Sequence, residues 1–365
     1  LYDDELIAGE IAAPMKCAPV YPEFSFNWIM DEFENAPFDQ RPYDKYYYTE
    51  ETKQKLSELA DFWKQNTVDE AITAQLSFDE QKGSELGMGL YLLNLYHFGG
   101  IGHFVANYEK LFQIGYGCYK VLVQKKLDEL DVTLPGNADK RNFYIALMII
   151  IDATTAYINR YAQLAEEKAE EEKDQKKKET LLRVASNCRQ ISENPPRDTW
   201  EAIQLWYMAT NIILIESNGH SVSYGRMDQY LNPFYEKDMA NGVFTQDFIQ
   251  ELLDCTLIKA GIASKLRDKM TSVANTGRGW GGESLTIGGV NEKGEDATND
   301  LTFMILDAAA HTRMIVPWLC VRMHADTPEE LKIKVAEVIR CGFGHPKLFN
   351  YQAAVPAMMK KGRTL

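Results

Sequence analysis

A helical pattern that stops abruptly at a short polar stretch is the feature that most constrains this chain. Apolar residues recur at helical spacing through residues 195–215, and Asp198 is placed to cap the first turn. The pattern gives way to Asn-Gly-His-Ser at 218–221, where the glycine permits backbone angles closed to other residues. We therefore expect a helix end that turns His220 and Ser221 toward a common point.

The rest of the chain is predicted to be mostly helical, with one buried strand at Met314–Met323, where β-branched and apolar residues are dense. The remaining expected features are a helix capped by Thr49, a helix from about Asn107 to Leu130, a long helix from Arg141, a helix break at Asn241-Gly242, and a capping box at Thr327 that opens another helix. A strand that feeds a long helix indicates an α/β protein that is predominantly helical.

Composition excludes several classes of function. The net charge of −14 argues against nucleic-acid or anionic-membrane binding, since both need a basic face. No uninterrupted apolar run reaches the roughly 20 residues that span a bilayer. The charged run at 166–179 is predicted to be a solvated helical face and turn. Six cysteines without Cys-x-x-Cys pairing are typical of reduced thiols in a cytoplasm.

Several motifs in a fixed order carry a resemblance to a known family. They are Gly102-His103, Asn-Tyr-Glu-Lys at 107–110, the run 216–235, Ser-Leu-Thr-Ile-Gly-Gly at 284–289, Asp-Ala-Thr-Asn at 296–299, Val321-Arg322, and Gly-Phe-Gly-His-Pro at 342–346. Together they resemble glycyl radical enzymes of the pyruvate formate-lyase superfamily. The nearest branch contains glycerol and propanediol dehydratases and choline trimethylamine-lyase. The resemblance spans nearly the whole chain.

Two motifs of that family are missing from this sequence. The family's chemistry needs a cysteine that carries a thiyl radical in a Gly-Cys-x-Glu loop and a glycine that stores the radical in Arg-Val-x-Gly. None of the six cysteines lies in such a loop: Cys17, Cys118, Cys188, Cys255, Cys320 and Cys341. We therefore expect an internal fragment, incomplete at both ends, that forms one domain over residues 1–365. It has no catalytic residue of its own and is predicted to be inactive alone.

The resemblance also implies a fold and an activity. It implies part of a ten-stranded α/β barrel within a helical shell, and an anaerobic lyase or dehydratase, of the carbon–oxygen lyase or formate acetyltransferase type. Such an enzyme eliminates water or another leaving group from a small polar substrate through a thiyl radical. The competing hypothesis is a truncated or degenerate scaffold or oligomerisation domain without catalysis.

Partners and location follow from the same resemblance. No bound cofactor is expected, because a radical S-adenosylmethionine activating enzyme installs the glycyl radical in the parent enzyme. The full-length protein is expected to be a homodimer in the cytoplasm, with a bacterial microcompartment as the alternative location.

Four residues are candidates for substrate binding: His103, His220, Ser221 and Trp280. The first three match family residues at or near a bound diol, and imidazole and hydroxyl groups suit a dry pocket that holds a polar substrate. His103 and His220 are predicted to face one cavity. The diol dehydratases carry an aromatic residue near the substrate just before the motif that is 284–289 here. This chain has Gly282 at that position and Trp280 two positions earlier, so the pocket wall is expected to differ.

Structural alternatives stay open for each candidate. His220 could be a core histidine that stabilises the helix break. The motif that contains His103 could be explained by the turn that the two preceding glycines form. Ser221 could cap the helix that opens near Met227. Arg226 and Asp228 are predicted to form a structural ion pair.

The remaining histidines and the glycine-rich loop are weak signals. His311, His324 and His345 lack the spacing of two metal ligands on one helix face, so no metal is predicted. The loop 277–282 lacks the Gly-Lys-Ser/Thr ending of a phosphate-binding loop.

Overall fold

The computed structural model describes residue 1 and residues 4–12, 17–42, 44–80, 102–217, 221–262, 265–269, 272 and 283–363. Two of the candidate residues, His220 and Trp280, lie outside the described residues, as does the glycine-rich loop 277–282.

Helices dominate the described part of the chain. They are α1 (Asn27–Asn35), α2 (Glu50–Trp63), α3 (Val68–Thr73), α4 (Tyr108–Asp128), α5 (Asn137–Glu171), α6 (Gln175–Ile191), α7 (Thr199–Glu216), α8 (Met227–Tyr230), α9 (Asn232–Asn241), α10 (Gln246–Ile262), α11 (Asp300–Thr312), α12 (Glu329–Arg340) and α13 (Tyr351–Lys360). A short 3₁₀ helix, Phe38–Gln40, follows α1.

Four parallel strands form one sheet in the order β1-β2-β3-β4. The strands are β1 (Ser223–Arg226), β2 (Ser284–Gly288), β3 (Trp318–Met323) and β4 (Lys347–Asn350). Helices occur between consecutive strands, as parallel pairing requires. This arrangement confirms the predicted α/β class.

Helix α7 runs through the largest hydrophobic core and leads toward the sheet. Asp198 caps it by accepting a hydrogen bond from the Glu201 N–H, which confirms the predicted start. Trp206, Leu205 and Ile203 are fully buried. The helix ends at Glu216, directly before the polar stretch that the sequence indicated.

The two faces of the sheet differ in character. Leu285 and Ile287 of β2 and Leu319 and Val321 of β3 are buried in the core shared with the helices. Because side chains alternate along a strand, the intervening residues face the other way. These form what we call the polar face: Ser223, Ser284, Thr286, Trp318, Cys320, Arg322 and Lys347.

Several predicted helix boundaries hold with small changes. Thr49 caps α2 and Asn107 caps α4, each by accepting from a backbone N–H. The long helix α5 begins at Asn137, before the predicted Arg141. Gly242, with φ 62°, ends α9 as expected. The charged run 166–179 forms the end of α5, a turn and the start of α6, and it is mostly exposed.

Two local predictions near the end of the chain were wrong. The strand begins at Trp318 rather than Met314, because Pro317 has no N–H to donate to a ladder. Helix α12 does begin near Thr327, but that residue forms no capping box. Its hydroxyl accepts instead from the His324 N–H at 2.8 Å, and Pro328 occupies the N-cap without a side-chain cap.

Helix α5 is long and apolar enough to cross a membrane by length and composition alone. Its most apolar 18-residue window has a mean hydropathy of 1.2, and 17% of that window is buried. A single such helix is weak support for a membrane span, because helices of soluble proteins pass the same test.

A second, smaller hydrophobic cluster involves the N-terminal helices. Phe26, Ile29, Phe33, Phe38 and Ala60 form its centre, and Leu266 packs against it. The N-terminal helices therefore contact the segment 265–269, which leads toward the glycine-rich loop.

Candidate substrate site at the amino ends of the strands

The structure places His103 and Ser221 side by side although they are far apart in sequence. The His103 N–H donates to the Ser221 carbonyl oxygen at 3.0 Å, and the Ser223 N–H donates to the Phe104 carbonyl oxygen at 2.9 Å. Val105 forms a parallel bridge with Ser223. The segment 103–105 thus extends the sheet beside β1, at the amino ends of the strands.

Both candidate residues have left-handed backbone conformations, with φ 59° at His103 and φ 51° at Ser221. Such angles are uncommon for residues other than glycine and persist where surrounding contacts stabilise them. The shared hydrogen bond between the two residues supplies one such contact. The prediction that His103 and His220 face one cavity remains a prediction, since His220 lies beyond the described residues.

The capping alternative for Ser221 was wrong. Helix α8 begins at Met227 after Arg226, and no side-chain hydrogen bond caps it. Ser221 lies instead before β1, with the whole strand between it and α8. The side chain is therefore not used to start a helix.

The prediction of an ion pair between Arg226 and Asp228 was also wrong, because the two side chains bind other groups. Arg226 donates to the carbonyl oxygens of Gly288 and Val290, at 2.6 and 2.8 Å. Asp228 accepts from the Gly288 N–H at 2.7 Å and from the Thr302 hydroxyl at 2.8 Å. Burial raises the Asp228 pKa, and these hydrogen bonds oppose that rise. Each side chain thus fixes the carboxyl end of β2 rather than its charged neighbour.

A buried charged cluster that sequence reasoning missed lies just behind Ser221. Glu283 precedes β2 and is 1% exposed, and its carbonyl oxygen accepts from the Trp318 N–H at 2.8 Å. Lys265 and Arg267 are also buried and act on its carboxylate electrostatically. We call Lys265, Arg267 and Glu283 the site cluster.

Burial dominates the electrostatics of the site cluster. Desolvation raises the Glu283 pKa to about 7, against the lowering effects of backbone N–H groups, Arg267 and Lys265. Desolvation and the neighbouring Arg267 charge lower the Lys265 pKa to about 7. The Arg267 pKa is lowered mainly by burial. Within the described residues, neither Glu283 carboxylate oxygen has a hydrogen-bond partner at normal distance and angle.

The N-terminal helices hold the segment that carries two members of the site cluster. Tyr46 donates its hydroxyl to the Lys265 carbonyl oxygen at 3.0 Å, and Arg41 donates to the Arg267 carbonyl oxygen at 2.8 Å. Glu32 pairs with Arg41 at 2.5 Å and also accepts from the Lys269 N–H at 2.6 Å. The backbone of 265–269 is therefore fixed on the side away from the sheet.

Two cations lie on the polar face. Lys347 lies over the Trp318 ring, 3.5 Å from its centroid, and Arg322 lies over the Tyr351 ring at 4.1 Å. Burial and the nearby Arg226 charge lower the Arg322 pKa. The polar face also carries two hydroxyl groups, those of Ser223 and Ser284, whose Oγ atoms are 3.2 Å apart. It therefore offers both positive charge and hydroxyls.

No group of three or more potential metal ligands occurs in the parts of the chain that the structure describes. The three later histidines have separate partners. His311 Nδ1 lies 3.0 Å from Asp254 and His324 Nε2 lies 2.9 Å from Asp296. His345 Nε2 lies 2.9 Å from the Ile315 carbonyl oxygen. These histidines are thus spread over different regions.

The arrangement is suited to binding rather than to radical chemistry by itself. Ser221 contacts His103 in the fold and follows His220 in the sequence. Hydroxyl and imidazole groups of this kind can orient a small polar molecule. A parallel sheet with helices between its strands is the architecture of α/β enzymes.

The particular family is given by comparison with known proteins. Residues 1–365 match the pyruvate formate lyase-like family, so the chain belongs to that family. It is 48% identical over 366 residues to the (2S)-3-sulfopropanediol dehydratase of Klebsiella oxytoca, covering 100% of this chain and 44% of that protein. It is 34% identical to the isethionate sulfite-lyase of Nitratidesulfovibrio vulgaris, over 99% of this chain and 44% of that protein.

Solved structures give the same result for the fold. The glycerol-bound B12-independent glycerol dehydratase from Clostridium butyricum superimposes with a TM-score of 0.93 at 33% identity, covering 100% of this chain and 45% of that one. Hydroxyproline dehydratase from Clostridioides difficile gives a TM-score of 0.92 at 28% identity. The predicted family and its barrel-type α/β fold are thereby confirmed, and the chain spans less than half the length of these relatives.

Proposed function

We propose that this chain is the substrate-side part of a glycyl radical dehydratase whose substrate is a small 1,2-diol with an anionic group. The observation that carries the proposal is the polar face, where the hydroxyls of Ser223 and Ser284 lie at the amino end of the sheet and the cations lie further along it. Lys347 is two and Arg322 four register positions from Ser284. A sulfonate is the favoured anionic group, because a sulfopropanediol dehydratase is 48% identical to this chain whereas a glycerol dehydratase structure is 33% identical.

The proposed roles of individual residues rest on the family resemblance and, for His103 and Ser221, on their backbone contact. The Ser221 hydroxyl and the imidazoles of His103 and His220 hold the diol, and Trp280 forms part of the wall. A thiyl radical supplied by the rest of the enzyme would remove a hydrogen atom from a carbon of the diol, and the substrate radical would lose water. The thiol would then return the hydrogen atom to the product radical, which gives an aldehyde and regenerates the thiyl radical. For that step to be selective, water must be excluded from the polar anchors. His103 is exposed and Ser221 is half-buried in residues 1–365, so the rest of the enzyme would have to cover them.

The larger assembly is part of the same proposal. A radical S-adenosylmethionine activating enzyme installs the glycyl radical, and the full-length protein is a homodimer in the cytoplasm or in a bacterial microcompartment. The chain of residues 1–365 acts as one domain of that protein.

The test uses the full-length enzyme, activated anaerobically. Electron paramagnetic resonance quantifies the glycyl radical, and turnover is measured on 3-sulfopropane-1,2-diol, glycerol and isethionate. We expect kcat/KM for the sulfonated diol to exceed that for glycerol by roughly 5- to 150-fold, the range that one buried polar interaction of about 1–3 kcal/mol supplies. A radical-bearing enzyme that prefers glycerol would contradict the proposed substrate.

Ser221→Ala tests the binding role of the turn. The variant should retain the glycyl radical signal and lose turnover by roughly 5- to 150-fold, because one hydrogen-bond partner of the substrate is gone. Ser57→Ala, an exposed helical serine that donates to the Lys53 carbonyl oxygen, is the control. Wild-type turnover of Ser221→Ala would show that the turn has only a structural role.

The competing function is a scaffold or oligomerisation domain without catalysis. The coding sequence distinguishes the two. A Gly-Cys-x-Glu loop and a distal Arg-Val-x-Gly motif downstream of residue 365 support the enzyme, and their absence supports the scaffold. The 365-residue chain alone should show no glycyl doublet after incubation with an activating enzyme, because it has no storage motif.

A further inference from the structure

The polar face is positively charged in a chain whose net charge is −14. The residues that define this face include two cations, Lys347 and Arg322, and no acidic side chain. Each cation lies over an aromatic ring, and neither forms an ion pair with a carboxylate of a described residue. Positive charge that no described carboxylate neutralises, on a face that also carries hydroxyl groups, is suited to an anionic ligand.

The Lys347 ammonium lies near the hydroxyl groups at the amino end of the sheet. Trp318 is the register partner of Ser284, whose Oγ is 3.2 Å from the Oγ of Ser223; we call these two serines the serine pair. Lys347 is paired two positions further along, with Cys320, but its Nζ is 3.5 Å from the centroid of the Trp318 ring. At about 3.3 Å per residue, the ammonium therefore lies within about 7 Å of the level of Ser284, measured along the strands.

The Arg322 guanidinium lies at the other end of the sheet. Arg322 is paired with Gly288, the last residue of β2, four positions beyond Ser284. Its Cζ is 4.1 Å from the centroid of the Tyr351 ring, and Tyr351 directly follows the last residue of β4. The side chain is thus directed away from the serine pair, and its distance from Ser284 along the strands is about 13 Å or more.

The size of the substrate distinguishes the two cations. A three-carbon diol with a sulfonate spans about 5 Å, since each bond of the bent chain is about 1.5 Å long. A hydrogen bond from the protein adds about 3 Å. A diol held between Ser221 and the serine pair can therefore extend to Lys347 but not to Arg322. The Trp318 ring restricts the flexible lysine side chain to the position where the anionic group would lie.

We propose that Lys347, held over the Trp318 ring, binds the anionic group of the substrate and selects a charged diol over an uncharged one. Arg322 is too far along the sheet to share this role. The inference rests on the proposed function, because that function places the diol hydroxyls at the amino end of the sheet.

The experiment uses the activated full-length enzyme and the ratio of kcat/KM for 3-sulfopropane-1,2-diol to kcat/KM for 1,2-propanediol, which has the same carbon chain without the sulfonate. Lys347→Met should lower this ratio roughly 10- to 100-fold, because a hydrogen bond to a charged group is lost. Lys347→Arg should keep most of the ratio, because it keeps a cation over the ring. The glycyl radical signal should be the same in both variants as in the wild type.

Three further variants separate Lys347 from the other groups. Trp318→Leu should lower the ratio by only about 2- to 5-fold, because the cation remains but loses its ring. Arg322→Met should leave the ratio unchanged. Lys332→Met, which removes an exposed lysine paired with Glu329, is the surface control and should keep the wild-type values.

The possible failures are distinguishable. A wild-type ratio in Lys347→Met, or a loss of the ratio in Arg322→Met, overturns the inference alone. A wild-type enzyme that carries the glycyl radical and prefers 1,2-propanediol contradicts the proposed substrate and, with it, the role of Lys347.

Discussion

Lys259 and Lys265 are both buried, yet their surroundings differ in a way that separates structure from function. Lys259 contacts the carboxylates of Glu5 and Glu10, the latter at 2.7 Å, and donates to the Gly9 carbonyl oxygen at 2.8 Å. No hydrogen bond from the Lys265 ammonium to another described residue is found, and no described residue donates one at normal distance and angle to either carboxylate oxygen of Glu283. We call the contacts around Lys259 the satisfied cluster, because its ammonium group is hydrogen-bonded. The site cluster is called the unsatisfied cluster, because the Glu283 carboxylate accepts no hydrogen bond from a described residue.

The satisfied cluster holds the start of the chain against the core. The Gln204 amide exchanges two hydrogen bonds with the backbone of Ala8, at 2.8 and 2.7 Å, and Trp200 donates to the Leu6 carbonyl oxygen at 2.7 Å. Ile7 and Ala8 are fully buried. Lys259 thus completes a set of contacts around residues 5–10, which indicates a structural role.

The unsatisfied cluster lies near Ser221, which is a substrate-binding residue only in our proposal. A buried ionisable group without hydrogen bonds costs stability and keeps its pKa near neutrality, which is common at functional sites. Both clusters lie at the carboxyl end of α10, since Lys259 is in its last turn and Lys265 follows its last residue, Ile262, by three positions. Substitutions in both clusters can test this contrast.

The largest effect is expected for Lys259→Met in the 365-residue chain. Removing one partner leaves two buried carboxylates unpaired, so the free energy of unfolding should fall by about 3–5 kcal/mol. Urea denaturation measures it. Lys55→Met, which removes an exposed lysine paired with Glu51, is the control and should change the value by less than about 0.5 kcal/mol. Equal losses in the two variants would mean that the Lys259 cluster contributes no more than a surface pair.

A smaller, pH-dependent effect is expected for Glu283→Gln. The folded pKa of Glu283, about 7, lies above its usual value of 4.5, so the folded state binds the proton more tightly than the unfolded state. That stabilisation is present below pH 4.5 and is lost as the pH rises through 7. Relative to Glu283→Gln, the wild-type chain should lose about 1–3 kcal/mol of unfolding free energy between pH 5 and 7. Parallel pH profiles for the two chains would contradict this.

The smallest effect is expected for Lys265→Met. The Lys265 pKa of about 7 shows that burial already opposes its charge, so an apolar side chain of similar length should change stability by less than about 1 kcal/mol at pH 7. The same denaturation assay compares it directly with Lys259→Met. A loss as large as that of Lys259→Met would show that the two clusters have the same structural role.

Local features of the fold could be predicted from the sequence. The cap at Asp198 and the helix end near residue 216 depend on neighbouring residues, so their pattern is visible in the sequence. The backbone contact between His103 and Ser221 was not predicted, because a sheet contact between distant segments leaves no local signal in the sequence. The family resemblance implied only that both residues lie at or near a bound diol. The wrong strand start had a visible cause, since Pro317 could have been recognised as unable to join the ladder.

The site cluster could not be predicted because it depends on burial. Lys265, Arg267 and Glu283 resemble ordinary surface charges in the sequence, and only packing against the N-terminal helices and the sheet buries them. The wrong prediction of an Arg226–Asp228 ion pair has the same cause, namely that the contacts of these side chains depend on the tertiary structure. Their preference for the backbone of β2 depends on where Gly288 lies in the fold.

Direct titration of the Glu283 carboxyl group tests the contrast between the two clusters most closely. The measurement is the ¹³C chemical shift of glutamate carboxyl carbons in the labelled 365-residue chain as a function of pH, with the signal assigned by its loss in Glu283→Gln. The predicted result is a midpoint near pH 7, well separated from those of exposed glutamates. A midpoint between 4 and 5, about the usual range for glutamate, would contradict the account and make Glu283 an ordinary structural carboxylate.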